Sequence, residues 1–157
     1  VSDNLTAFLK MIQTSEGTAK CPNPYAVTFG YQFTITDFSD HPALLGWTGY
    51  PLTSLGARYA DEVSTAAGAY QLIKPTWMIC KQTLRLPDFT APSQDAAATL
   101  LIRQKGALAM VENGEIAAAI GQCKNVWASL PGNLSGQPQK RLADLLDTYT
   151  QHGGGFA

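Results

Sequence analysis

The spacing of apolar residues changes near residue 20. In "SDNLTAFLKMIQTSEG", Leu5, Phe8, Leu9 and Ile12 recur at helical intervals. This predicts a helix from about residue 4 to about residue 15, with Asp3 or Asn4 as its cap. From residue 25 the period becomes two. Tyr25, Val27, Phe29, Tyr31, Phe33 and Ile35 alternate with smaller or polar residues, which predicts strand. Gly30 in the middle would turn that run into a hairpin of two short strands. Residues 46–68 place Gly46, Gly49, Pro51, Gly56 and Gly68 among polar residues and read mostly as loop, with room for a short strand or helix.

Helical spacing returns in "KPTWMICKQTLRL", where Pro75 suits a first turn and Trp77, Ile79, Cys80 and Leu84 are apolar. "SQDAAATLLIRQKGAL" offers Ser93 as a cap and Asp95 in the first turn. "GEIAAAIGQCKNVWASLPG" and "PQKRLADLLDTYTQHGGG" follow. The last carries Leu142, Leu145, Leu146 and Tyr149 as a stripe and Gly153 as a stop. The expected fold is α+β but mainly α, in a single domain over residues 1–157. A small antiparallel sheet is inserted after the first helix. A small lobe over about 24–72 would face a helical lobe of 1–20 and 73–157 across a groove, a junction that pockets favour.

Composition narrows the function. The chain has 157 residues, 45% hydrophobic and 15% charged, which suits a globular domain with a sizeable core. A formal net charge of −1 argues against nucleic acid as the main partner. No apolar run reaches the length of a membrane span, and "VSDNLTAF" lacks the pattern of a signal peptide. Cys21, Cys80 and Cys123 are odd in number and include no CxxC, so neither a disulfide framework nor a zinc pattern is expected.

Glu16 is the unusual charge. It sits at the expected end of the first helix, where the dipole disfavours a carboxylate. Apolar cover would raise its pKa further and leave it protonated near neutrality, as a general acid requires. An exposed helix-end glutamate is the plain alternative. Asp37, Asp40 and His41 in "TDFSDHP" could hold a metal or form an acid–base pair, although Asp-capped turns are commoner. Two distant histidines, and the absence of HExxH, P-loop and GxSxG motifs, give metal or Ser-His-Asp chemistry little support. Tyr70 and Gln71 offer a stacking face and an amide suited to a sugar. Trp127, Ser129 and the backbone around Leu130 could likewise contact a ligand, or all of these could be core.

Taken in order, "SEGT", "FTITDFSDHP", "STAAGAYQL", "SQDAAA", "KGAL" and "NVWASLPG" resemble the lysozyme-like endolysins of lambda-type bacteriophages, over about residues 7–147. The resemblance implies a fold like that of goose-type lysozymes and soluble lytic transglycosylases. It implies cleavage of the β-1,4 bond between N-acetylmuramic acid and N-acetylglucosamine in peptidoglycan, leaving 1,6-anhydromuramic ends. It makes Glu16 the catalytic residue. It makes Ser15, Tyr70, Gln71, Gln94, Trp127, Ala128, Ser129 and Leu130 substrate-binding residues.

No metal and no organic cofactor is implied. The expected partner is the glycan strand of peptidoglycan. The expected protein is a monomer, made in the host bacterial cytoplasm without stable membrane insertion. It needs a holin-type partner to reach the wall in the periplasm. Thr14 and Ala69 depart from the lambda sequence, which has tryptophan and arginine there. A hydrolysing muramidase using Asp37 or Glu62 as a second carboxylate, or a non-catalytic wall-binding module, are the alternatives.

Overall fold

A computed structural model describes residues 2–59, 61–136 and 138–157. Among them, six α-helices and one two-stranded antiparallel sheet are connected by turns, several of them 3-10. The α+β, mainly helical reading therefore holds. By contacts the chain forms two compact units, Val1–Lys20 with Ala98–Ala157, and Cys21–Ala97.

The first unit is built on α1 (Asp3–Glu16). Its cap is Ser2, ahead of the expected Asp3 or Asn4: the Ser2 side chain accepts from Leu5 N, and Asp3 lies in the first turn where a negative charge suits the dipole. Leu5, Phe8, Leu9 and Ile12 are buried as their spacing requires, with Ala7 and Met11 widening the stripe. That stripe packs on α6 (Leu142–Gln151), which buries Leu145 and Tyr149, and on α4 (Leu108–Glu112). α5 (Ile116–Cys123) packs against α4 and buries Ile116, Ala119, Ile120 and Cys123.

The last residues fold back onto α1 and the α4–α5 turn. Gly155 N donates to Asn4 Oδ1, Tyr149 Oη donates to the Gly155 carbonyl, and Ala157 N donates to the Gly114 carbonyl. Gly154 has to be glycine, because a Cβ there would overlap the Tyr149 ring.

The second unit contains the sheet, but not where alternation placed it. β1 (Tyr50–Pro51) pairs with β2 (Val63–Ser64), inside the segment read as loop. The expected hairpin over residues 25–36 is reduced to a single bridge between Val27 and Thr34. Two 3-10 turns, Pro24–Ala26 and Phe29–Tyr31, interrupt the run. The cause is local: Gly30 and Tyr31 both have positive φ, which breaks an extended ribbon. The alternating residues also share no buried face, since Val27 and Ile35 are buried while Tyr31 and Phe33 are exposed.

α2 (Lys74–Leu84), expected in the helical lobe, falls in the second unit. It buries Trp77 and Cys80 and leaves Ile79 exposed. α3 spans Ala91–Gln104, starting before the expected cap, Ser93. Asp88 organises the turn before it: its Oδ1 accepts from the Thr90 N–H and from the Thr90 and Ser93 hydroxyls. All three cysteines are free thiols, Cys80 and Cys123 buried and Cys21 half-buried. No helix among the described residues is long and apolar enough to cross a membrane.

Candidate active site

Glu16 is the last residue of α1, and the chain turns away immediately after it. Gly17 adopts a left-handed conformation (φ 81°), and its N–H reaches the Gln13 and Thr14 carbonyls. The carboxyl is thus fixed at the negative end of a 14-residue helix. Burial pushes its pKa up; a hydrogen bond from the Ser129 hydroxyl and the charge of Lys140 pull the other way without cancelling the rise. A largely desolvated glutamic acid that holds its proton to higher pH than a solvated one is suited to proton donation.

Ser129 is delivered by the turn that follows α5. Trp127 and Leu130 are fully buried anchors, and Leu130 N donates to the Trp127 carbonyl at 3.0 Å. Between them Ala128 and Ser129 are half-buried. The Ser129 Oγ lies 2.7 Å from the Ser15 Oγ. The Ser129 carbonyl accepts from Lys140 N at 2.8 Å, which pins the segment preceding α6 beside the same turn. Glu16, Ser15, Ser129 and Lys140 therefore form one cluster within the first unit.

Several residues expected to touch substrate are placed otherwise. Ser15 is 1% exposed and faces Ser129. Trp127 and Leu130 are buried, and Leu130 N is engaged within its own turn. In the second unit, Tyr70 is 1% exposed and its phenol donates to Asp95 Oδ1 at 2.6 Å, so its ring offers no stacking surface. Gln94 is fully buried: its Oε1 accepts from Ala69 N, and its Nε2 donates to the Tyr25 and Phe89 carbonyls. Gly68, beside it, has no room for a Cβ because one would overlap the Gln94 amide. Ala69 is buried in this network. Gln71 is half-buried at positive φ, and its Nε2 donates to the Gly68 carbonyl at 2.9 Å.

The Asp37–Asp40–His41 group is structural. His41 is buried, with one ring nitrogen against the Leu72 carbonyl and the other accepting from Ala43 N; burial holds its pKa down. Asp40 accepts from Trp77 Nε1 and pairs with Lys81 at 2.5 Å. Asp37 accepts from Ser39 N in a surface turn. Glu62 is exposed, with its backbone bonded to Tyr59 and Leu52. No group of three or more His, Cys, Asp or Glu side chains among the described residues is placed to hold a metal ion. Sequence reading missed Lys140 and the link between Ser129 and Glu16. Residues 15 and 129 lie 114 positions apart, and no spacing rule pairs them.

The family model for endolysins matches residues 6–156. The chain belongs to the endolysin family. Its relatives in that family include the endolysin of Escherichia phage P2, 38% identical, with 96% of this chain and 93% of that protein aligned. The endolysin of Escherichia phage lambda is also 38% identical, with 98% and 94% aligned. Among solved structures, bacteriophage lambda lysozyme complexed with a chitohexasaccharide superposes with a TM-score of 0.87 at 35% identity, covering 100% of this chain and 98% of that one. A second structure of lysozyme from bacteriophage lambda gives 0.83 at 34% identity, with the same coverage. The endolysin family degrades the bacterial cell wall for lysis, and this chain carries that family's fold from end to end.

Proposed function

We propose that this endolysin is a lytic transglycosylase acting on the glycan strands of peptidoglycan. It cleaves the β-1,4 bond between N-acetylmuramic acid and N-acetylglucosamine and leaves a 1,6-anhydromuramic end. The observation that carries this reading is the environment of Glu16, a desolvated helix-end carboxyl whose acting side chains are a hydroxyl and an ammonium group. Glu16 donates its proton to the glycosidic oxygen as the C1–O bond breaks, and positive charge develops on the sugar ring. The substrate's own acetamido group stabilises that cation, in place of the second carboxylate that most glycosidases use. Glu16, now ionised, accepts the proton of the muramic 6-hydroxyl. The hydroxyl oxygen bonds to C1, and Glu16 ends protonated again.

A neighbourhood built from a hydroxyl and an ammonium suits a residue that must hold both states in turn. The ammonium of Lys140 stabilises the ionised form, and burial stabilises the protonated form. The same reading extends to the setting. The enzyme works as a monomer on glycan in the periplasm, and a holin-type partner releases it from the host cytoplasm.

The test is digestion of purified peptidoglycan by wild type and Glu16→Gln, with mass spectrometry of the released fragments. Wild type should yield anhydro ends, and Glu16→Gln should lose at least about a hundredfold in rate, the lower range of a general acid's contribution. Mainly hydrolysed reducing ends would make the enzyme a muramidase instead. Absence of cleavage by wild type would leave a wall-binding module.

A further inference from the structure

The second unit carries a cleft that the chemistry at Glu16 leaves unused. Residues 33–37 supply Phe33, Ile35 and Asp37 to its lining, and residues 42–47 supply Pro42, Leu45 and Trp47. Its volume is about 370 Å³, within the range of small-molecule sites. Both segments are held by backbone bonds: Ile35 N donates to the Ala26 carbonyl at 2.8 Å, and Trp47 N to the Pro42 carbonyl at 3.0 Å. Phe33 and Leu45 nevertheless stay 40% and 46% exposed. The Phe33 and Trp47 rings lie 5.5 Å apart between centroids and 85° to one another. Trp47 Nε1 donates to Gln32 Oε1 at 3.0 Å, which fixes the indole and uses its only donor.

Two rings at a right angle make a corner, not the open flat platform on which a pyranose stacks. Aromatic faces carry negative potential and attract cations. Among the described residues that line the cleft, Asp37 alone is charged. Its Oδ1 accepts from Ser39 N at 2.9 Å, and hydrogen bonds from Ser39 hold its pKa down, so it is ionised at neutral pH. A carboxylate has lone pairs for further donors. We propose that this cleft binds a primary ammonium carried on an aliphatic stem, and that its occupant is the free amino group of the diamino acid in the peptide stem of peptidoglycan. The ammonium meets Asp37 and the aromatic corner, and the methylenes of the stem lie along Ile35, Pro42 and Leu45. Crosslinking converts that ammonium into a neutral amide, so the cleft favours stems that are not crosslinked. The occupant rests on peptidoglycan being the substrate; the preference for an ammonium rests on the cleft alone.

Two measurements test the two parts without turnover. In the first, the Trp47 indole N–H signal is followed by NMR as Nα-acetyl-lysine methylamide, its Nε-acetylated counterpart or N-acetylglucosamine is added to the full chain. The lysine probe should move the signal in a saturable way, and acetylation of its amine should weaken binding about two- to thirtyfold, the span of a cation held by aromatic rings. Added salt should weaken the charged probe only. Asp37→Asn keeps an acceptor for Ser39 N while removing the charge, and should erase most of the difference between the two lysine probes. Equal binding of those probes by wild type would overturn the proposal, as would an unmoved indole signal. A signal moved by N-acetylglucosamine and not by the lysine probe would make the cleft a sugar subsite and overturn it too. In the second measurement, Glu16→Gln is sedimented with intact sacculi before and after acetylation of their amines. Acetylation should weaken binding over the same span, and unchanged binding would overturn the stem-peptide occupant. Failure of the catalytic reading shows separately, as sacculi solubilised by Glu16→Gln or as reducing ends released by wild type.

Discussion

At the scale of residues, the opposing influences on Glu16 make a prediction about pH. Desolvation raises its pKa and Lys140 lowers it, so removing the Lys140 charge leaves the first effect less opposed. The acid-catalysed step needs protonated Glu16, and activity declines as pH rises through the pKa of that group. Lys140→Ala should therefore shift the alkaline limb of the kcat/KM profile to higher pH, while the rate on its plateau changes less than about threefold. Because Lys140 is exposed, the displacement between wild type and variant should shrink as salt is added. A shift to lower pH, or one indifferent to salt, would show that the Lys140 charge does not act on Glu16.

At the scale of elements, the end of α1 is the part on which the site depends. Gly17 holds a left-handed conformation that lets two carbonyls of the last turn find a donor, and the carboxyl before it takes its direction from that turn. Gly17→Ala should cost about 1 kcal/mol or somewhat more. For a chain of this length that corresponds to a fall of about 2–4 °C in Tm per kcal/mol. Digestion should fall further than stability explains, since the variant remains folded at assay temperature with Glu16 misdirected. A variant with lowered Tm and full activity would separate the cap from the site. The helix itself was legible because Leu5, Phe8, Leu9 and Ile12 repeat at the helical period and are buried. The run from Tyr25 to Ile35 was misleading because alternation predicts a strand only if one face is covered. Here Gly30 and Tyr31 turn the backbone instead, and Tyr31 and Phe33 remain exposed. Of the site, Glu16 was legible from its place at a helix end, whereas Ser129 and Lys140 reach it only through folding.

At the scale of the whole molecule, apolar spacing showed that α2 must bury one face but not what it would be buried against, so its place in the second unit was hidden from the sequence. Burial was hidden in the same way: Tyr70, Gln94 and Trp127 are almost wholly enclosed, which their residue types alone did not foretell. The sulfur atoms bring a separate consequence. Burial raises the thiol pKa of Cys80, and that of Cys123 to about 11, which removes the thiolate that oxidants and alkylating reagents attack. Cys21 alone is within reach of solvent. A colorimetric thiol reagent should register one fast equivalent per folded chain and all 3 after denaturation; two or more fast equivalents would contradict this. Carried into an oxidising medium, such a chain can be joined to a neighbour or tagged at one point only, which gives this endolysin a ready-made handle for a single fluorophore.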